Sequence, residues 1–471
     1  MNFTDKKIEK LIFKCGNFSN TRQCSIATVI NNIKDESDNI TDYSFDLINI
    51  NNPSPKPLFY YLTANKRLCN WYADIKPNPY LNKGIEYSLF QVCAQCTNLI
   101  NVKADLSGVA QATNAFMGCT NLTTFDASLK NLNWATSMFL GCSNLTTFNS
   151  DLSSLTNGVS MFYDCSNLKT FDVSLKNLKD GTKMFKNCTA LTTFNSDLSS
   201  LTNGGSMFLG CSNLTSFETD LSKLDDGECM FMGCTSLKTV KADLHSLTDG
   251  TSMFQNCSNL STFYGDLSSL TNGGAMFYDC TALISFDVSL KNLKIGNIMF
   301  DGCTSLETFD SDLSSMEDKY VWEDASSTDN IKMFKRCTAL KTFKADLSSI
   351  TRGYESDAAD KGMFRDFSSL ETFSGKLSSL INGQYMFSGC TSLTSFTSDL
   401  GSLTNGNRMF YGCKLNAKSV KNILDTLPTI TSSTNKTITI AIDVKSSAVD
   451  GKTTQEQLTE FAIAAGCTSW T

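Results

Sequence analysis

Thirteen of the nineteen cysteines fall on one ruler. Cys96, Cys119, Cys142, Cys165, Cys188, Cys211, Cys234, Cys257, Cys280 and Cys303 are 23 residues apart, and Cys337, Cys390 and Cys413 rejoin the series after insertions. Around them one phrase recurs, as in MFLGCSNLTTF from Met138 to Phe148 followed by DLSSLTNG from Asp151 to Gly158. A chain with this period is built of stacked coils, each burying its apolar side against its neighbours, so a recurring residue is first of all a structural slot. Although 471 residues would ordinarily suggest about three globular domains of roughly 150 residues each, the period implies one long array.

The formal net charge of −7 provides no basic footprint, which excludes nucleic acid and anionic membrane as main partners. The opening stretch from Met1 to Phe13 alternates charged and apolar side chains and lacks the apolar core of a signal peptide, so export by the general secretory route is not expected. No apolar run approaches the roughly 20 residues that span a bilayer, and neither end carries a lipidation motif. A soluble product with no membrane insertion is expected.

Within one coil, Leu145, Phe148 and Leu152, with small Ser150 between them, suit a short strand whose inner side packs into a narrow core. Phe148 is the wedge, and its counterparts from Phe125 to Phe396 should stack at about the 4.8 Å spacing of adjacent strands. Leu-x-x-Leu and an Asn-Gly or Asp-Gly pair follow, as at Asn157-Gly158 and Asn203-Gly204, where a positive φ is expected to let the chain reverse. The Met-Phe pair after it, such as Met161-Phe162, should line the opposite core wall on a helical or 3-10 turn.

These residues resemble the BspA-like leucine-rich repeats, whose coils of this length carry an apolar-Phe pair, a Cys or Asn, and a Leu-x-x-Leu segment. The resemblance covers roughly residues 59–413, with Asn65 and Phe367 in the cysteine slot beside the thirteen cysteines, giving fifteen slots. It implies a leucine-rich-repeat solenoid: a parallel sheet of short strands with turns and short helical or 3-10 segments. The coils between slots should span about 65 to 70 Å at strand spacing. In this family the cysteine or asparagine satisfies a backbone group in the turn.

In-line stacking disfavours disulfides, so the ladder is expected to stay reduced rather than to form a metal or redox array. A second ladder runs through Asp105, Asp151, Asp197, Asp220, Asp243, Asp266, Asp312, Asp346 and Asp399, with serine at Ser128, Ser174 and Ser289 and lysine at Lys376. Asp and Ser are poor equivalents as calcium ligands but near-equivalents as caps that accept from the next turn's N–H groups, so capping is the expectation. No cofactor is expected. His245, the only histidine, reads as an exposed substitution, and no catalytic pair, zinc spacing or phosphate loop is present.

Residues such as Thr147 and Thr170, just before each wedge, form a polar stripe on the exposed strand face. Two residues later the slot varies, and it includes Lys241, Tyr264 and Lys344. Insertions fall within 76–88, 317–330 and 352–361, all at the same point of the coil. The last two occupy successive coils and should present Tyr320, Trp322 and Tyr354 among acidic residues that include Asp324 and Asp357.

Residues 414–471 read as an α/β cap: a helix from about Ala417 to Leu427, a strand from Thr437 to Ile442 and a helix from about Thr454 to Ala465. Residues 1–58 are irregular, with a helix around Ile26 to Ile33, and should dock the array, pair copies of it, or cap it. The implied function is non-enzymatic recognition or assembly, with a protein or glycan receptor or other virion proteins as partners. The resemblance points to adhesins and surface proteins, whereas the missing export signal favours a virion component, such as a phage fibre, made in the host cytosol. An intracellular scaffold or effector is the further alternative.

Overall fold

The computed structural model describes residues 10–15, 42–47, 69–74, 87–316, 332–353 and 362–427. They form two compact units, Met1–Leu244 and His245–Thr471. In the first, strands Lys10–Cys15 (β1), Asp42–Leu47 (β2), Asn70–Asp74 (β3), Asn101–Asp105 (β4) and Thr124–Ser128 (β5) pair side by side in parallel. Their register aligns Leu11, Tyr43, Trp71, Val102 and Phe125 across the sheet. The strand register therefore begins at Lys10, upstream of the start near residue 59 that the sequence suggests. Later strands shrink to Thr170–Phe171, Thr193–Phe194, Ser216–Glu218 and Thr239–Ala242. In the second unit Ser285–Phe286, Thr308–Asp312, Thr342–Asp346, Thr372–Phe373 and Ser395–Phe396 (β6) follow in parallel order.

The wedges stack, although at a wider ring spacing than that of the strands because the rings are offset. Phe194 lies nearly parallel to Phe171 at 5.9 Å and to Phe217 at 6.0 Å. A second aromatic column faces it: Phe185 and Phe208, from the Met-Phe pairs, stack at 5.5 Å and meet Phe194 edge-on at 5.5 and 4.8 Å. Offset and edge-to-face contacts of this kind are the favoured aromatic geometries, so each coil locks into the next on both walls. Met184, Met207, Leu191 and Leu198 fill the remaining core with no exposed surface.

The Met-Phe wall is a run of i to i−3 turns, the hydrogen-bond type of a 3-10 helix, in which alternate N–H groups bond to the next coil instead. Met161, Tyr163 and Cys165 donate to Gly158, Ser160 and Phe162, whereas Gly158, Ser160, Phe162 and Asp164 donate to Asp180, Thr182, Met184 and Lys186. The alternation requires left-handed backbone twice per coil, at Ser160 (φ 55°) and Asp164 (φ 59°). Gly141 fills the Asp164 slot one coil earlier at φ 73°, and Asn187 one coil later at φ 60°.

The positive φ expected at the Asn-Gly pairs is not there. Gly158 and Gly204 lie outside the left-handed region. Gly158 is small because a Cβ would come within 3.0 Å of the Met184 sulfur of the next coil. Asn157 forms an Asx turn, its Oδ1 accepting from the Val159 N–H at 3.3 Å. It also belongs to a bridge ladder in which Trp134, Asn157, Asp180, Asn203 and Asp226 pair in succession.

One helix, Ala417–Thr426 (α1), ends the described chain at the position read from the sequence, capped by Asn416. Its side chains cover the free edge of β6. Ser419 Oγ accepts from the Phe396 N–H at 2.8 Å, and Asn422 Oδ1 accepts from the Ser398 N–H at 3.0 Å. A bare strand edge invites pairing with another chain, and these bonds occupy it. The strand and second helix expected after residue 428, and the helix expected around Ile26, lie outside the described residues.

Candidate functional site

The exposed strand face is built by the same alternation that buries the wedges. In Thr308–Asp312 the residues alternate exposed and buried, with Phe309 and Ser311 inside. The column after the wedge is exposed in both units, from Asp126 to Lys241 in the first and from Tyr264 to Thr397 in the second. Tyr264 is 59% exposed. Lys241 pairs with Glu218 of the preceding coil at 3.7 Å, and Lys344 with Asp310 at 2.7 Å. Cross-coil pairs of this kind in solvent contribute little to stability, so the column's charge pattern is free to vary. The loop residues Tyr320, Trp322, Asp324, Tyr354 and Asp357 lie outside the described residues.

The acidic ladder caps turns. Asp151 Oδ1 accepts from the Ser153 N–H at 2.8 Å, and Asp197, Asp220, Asp266, Asp312 and Asp346 repeat the contact. Hydrogen bonds from the side chain and N–H of Ser153 hold the Asp151 carboxyl below its ordinary range, and Ser199 does the same for Asp197. No group of His, Cys, Asp and Glu suited to a metal occurs among the described residues. His245 is exposed.

All thirteen ladder cysteines are buried thiols outside any disulfide. The backbone group they satisfy belongs to the preceding coil: Cys142, Cys165 and Cys188 donate to the carbonyls of Phe116, Phe139 and Phe162, each at 3.2 Å. Burial pushes up the thiols of Cys119, Cys142, Cys188, Cys280 and Cys303, and that of Cys211 to about 12. They are consequently poor nucleophiles.

One cluster escaped the sequence reading. Arg336 stands in the slot that Gly, Asn, Asp or, once, Gln95 fills in the other described coils, bonds Asp301 at 2.6 Å and Asp279 at 3.1 Å, and lies over the Tyr278 ring at 5.2 Å. It ties three successive coils together, and an arginine in that slot was the signal in the sequence.

A model of the BspA type leucine rich repeat region (6 copies) matches residues 83–215, 204–327 and 330–439. The chain belongs to this family. Solved structures similar to this BspA-type chain include leucine-rich repeat proteins. A leucine-rich repeat protein from Bacteroides ovatus ATCC 8483 is 22% identical, covering 73% of this chain and 86% of its own, with a TM-score of 0.48. A leucine rich cell surface protein from Faecalibacterium prausnitzii A2-165 is 18% identical over 69% of this chain and 87% of its own, with a TM-score of 0.32. An internalin from Listeria monocytogenes is 15% identical over 70% and 84%, with a TM-score of 0.27. No curated protein matches the sequence. Among the described residues no helix is long and apolar enough to cross a membrane.

Proposed function

We propose that this BspA-type protein is a non-enzymatic recognition protein that binds a protein or glycan through its exposed strand face and inserted loops. The observation that carries the reading is the contrast within each coil: the buried Leu, Phe, Met and Cys slots stay apolar while the exposed column changes from Glu218 to Lys241 and from Tyr264 to Asp287. A rigid frame with a variable exposed surface is how scaffolds carry binding residues. Lys241, Tyr264 and Lys344 are assigned to the strand contact. Tyr320, Trp322 and Tyr354, with Asp324 and Asp357, are assigned to the loop contact. Residues 59–413, extended by β1 and β2 of the same sheet, form the binding body in this reading, 414–471 close it, and the remainder of 1–58 attaches it.

The test is binding of the full chain to an immobilised panel of glycans and surface proteins, with the Tyr264→Ala and Trp322→Ala/Tyr354→Ala variants beside it. A loss of about tenfold or more in affinity with an unmoved thermal transition supports the assignment. Full-strength binding by both variants overturns it. The finer placement in a virion, drawn from the sequence reading, predicts co-purification with particles; surface labelling of intact cells would instead favour an adhesin.

A further inference from the structure

We propose that the turn wall of the second unit carries a separate binding site for a carboxylated saccharide, built from Arg365, Tyr385, Arg408 and Tyr411. These four residues alternate as cation, ring, cation, ring across successive coils. Arg365 lies 5.6 Å from the Tyr385 ring centre, and Arg408 lies 5.9 Å from both Tyr385 and Tyr411. Several other coils fill the slot of Tyr385 and Arg408 with serine, as at Ser137, Ser160, Ser206 and Ser252, and in the slot of Arg365 and Tyr411 Lys186 over Tyr163 makes a single cation–ring pair without the alternation of two cations and two rings. The stack is therefore particular to these coils and not a demand of the fold.

Arg336 shows by contrast what a structural arginine looks like on this wall. It too lies over a tyrosine, but two carboxylates take up its guanidinium. Arg408 is exposed and pairs with no carboxylate among the described residues, being held by its two rings alone. Stacked faces leave the edge of a guanidinium and its fork of donors open, and that fork matches a planar carboxylate. Arg365 shares its charge with Asp366 at 3.3 Å, so Arg408 is the anion-binding member.

The surroundings favour a sugar over a peptide. Tyr411 is 57% exposed and offers an apolar ring face to the C–H side of a pyranose. In the same coil Asn405 donates to Gln384, the sequence neighbour of Tyr385, at 3.4 Å, which supplies side-chain amides for hydroxyl groups. The alternate N–H groups of this wall are committed to the next coil, Gly383 to Asn405, Tyr385 to Asn407, Phe387 to Met409 and Gly389 to Tyr411. An extended peptide finds no free ladder to join there. The wall faces the strand wall across the core, so this site stands independently of the strand-face assignment.

The experiment is calorimetric titration of the full chain with tetragalacturonate, 3′-sialyllactose, neutral lactose and hexaglutamate. At least one of the two carboxylated saccharides should bind, and which one does separates a uronate source from a sialylated one. Lactose should be weaker by about tenfold or more. Arg408→Gln and Tyr411→Ala should each weaken binding to a similar extent, and Arg408→Lys, which keeps the charge and loses the fork, should not restore it. Melting temperatures should be unchanged. Absence of binding by both acidic sugars, undiminished binding by Arg408→Gln, or equal competition by hexaglutamate would each overturn the proposal.

Discussion

The thiol of Cys211 donates to the carbonyl oxygen of Phe185, one coil upstream, at 3.1 Å. Burial holds that thiol protonated, pushed up from 9.0 to about 12. An unfolded chain releases such protons near pH 9 while the folded chain keeps them, so the folded state binds more protons and loses stability as pH rises. Stability should be intact below pH 9 and fall from there through about 12, and the raised thiols of Cys142, Cys188 and Cys280 act in the same direction. Urea midpoints between pH 7 and 11 check this, and a flat profile would remove the claim. Thiol labelling should likewise wait for denaturation.

Phe217→Ala is expected to cost about 3 to 5 kcal/mol, because it opens a cavity on both walls at once. Its ring meets Phe208 at 5.5 Å and Phe231 at 4.7 Å and stacks on Phe194 at 6.0 Å. Asp220→Ser, which keeps an acceptor for the Ser222 N–H, should cost less than about 1 kcal/mol. Comparable losses from the two changes would contradict the division between core and cap.

Gly233 is left-handed at φ 74° and occupies the slot that Asn187 and Asn256 fill elsewhere at φ 60°. Gly233→Asn should therefore be nearly neutral, whereas Gly233→Val should cost about 1 to 2 kcal/mol or more. Chemical denaturation of both variants measures the difference, and valine tolerated as well as asparagine would refute the backbone argument.

Ser419 is 3% exposed and closes the edge of β6 through the Phe396 N–H. Ser419→Ala should strand that donor and cost about 1 to 3 kcal/mol. Light scattering on warming should rise earlier than in the wild type. An unaltered melting and aggregation profile would show that the edge is protected by other means.

Much of this architecture could be read from the period. Cys211, Phe217, Met207 and Asp220 recur in slots whose chemistry points one way, and each sits where that chemistry places it. The Asn-Gly pairs misled because glycine after asparagine usually marks a left-handed turn, while here Gly158 makes room for Met184. The residues that are left-handed, such as Ser160 and Asp164, give little sign of it, since both also serve ordinary turns. Strands β1 and β2 were hidden because Lys10 pairs with Asp42 and Asp42 with Asn70, offsets of 32 and 28 residues where the eye follows 23. The Arg408 stack joins residues from three coils, and no local pattern announces it.

Among the described residues the backbone bonds between coils reach the neighbouring coil and no further, and the Arg336–Asp279 pair is a side-chain contact that spans two. Phe162 needs only Met184, and Met184 serves as well whatever lies beyond it. An in-frame gain or loss of 23 residues thus rejoins every donor to an equivalent acceptor. Where the spacing is broken the bond survives: Cys337 still reaches the carbonyl of Phe300, although the separation is 37 residues in place of 26. A sequence this repetitive is open to unequal exchange during replication, and its product tolerates the outcome. Array length is then a heritable quantity that changes by whole coils, so the reach of the molecule evolves separately from the chemistry of its surface.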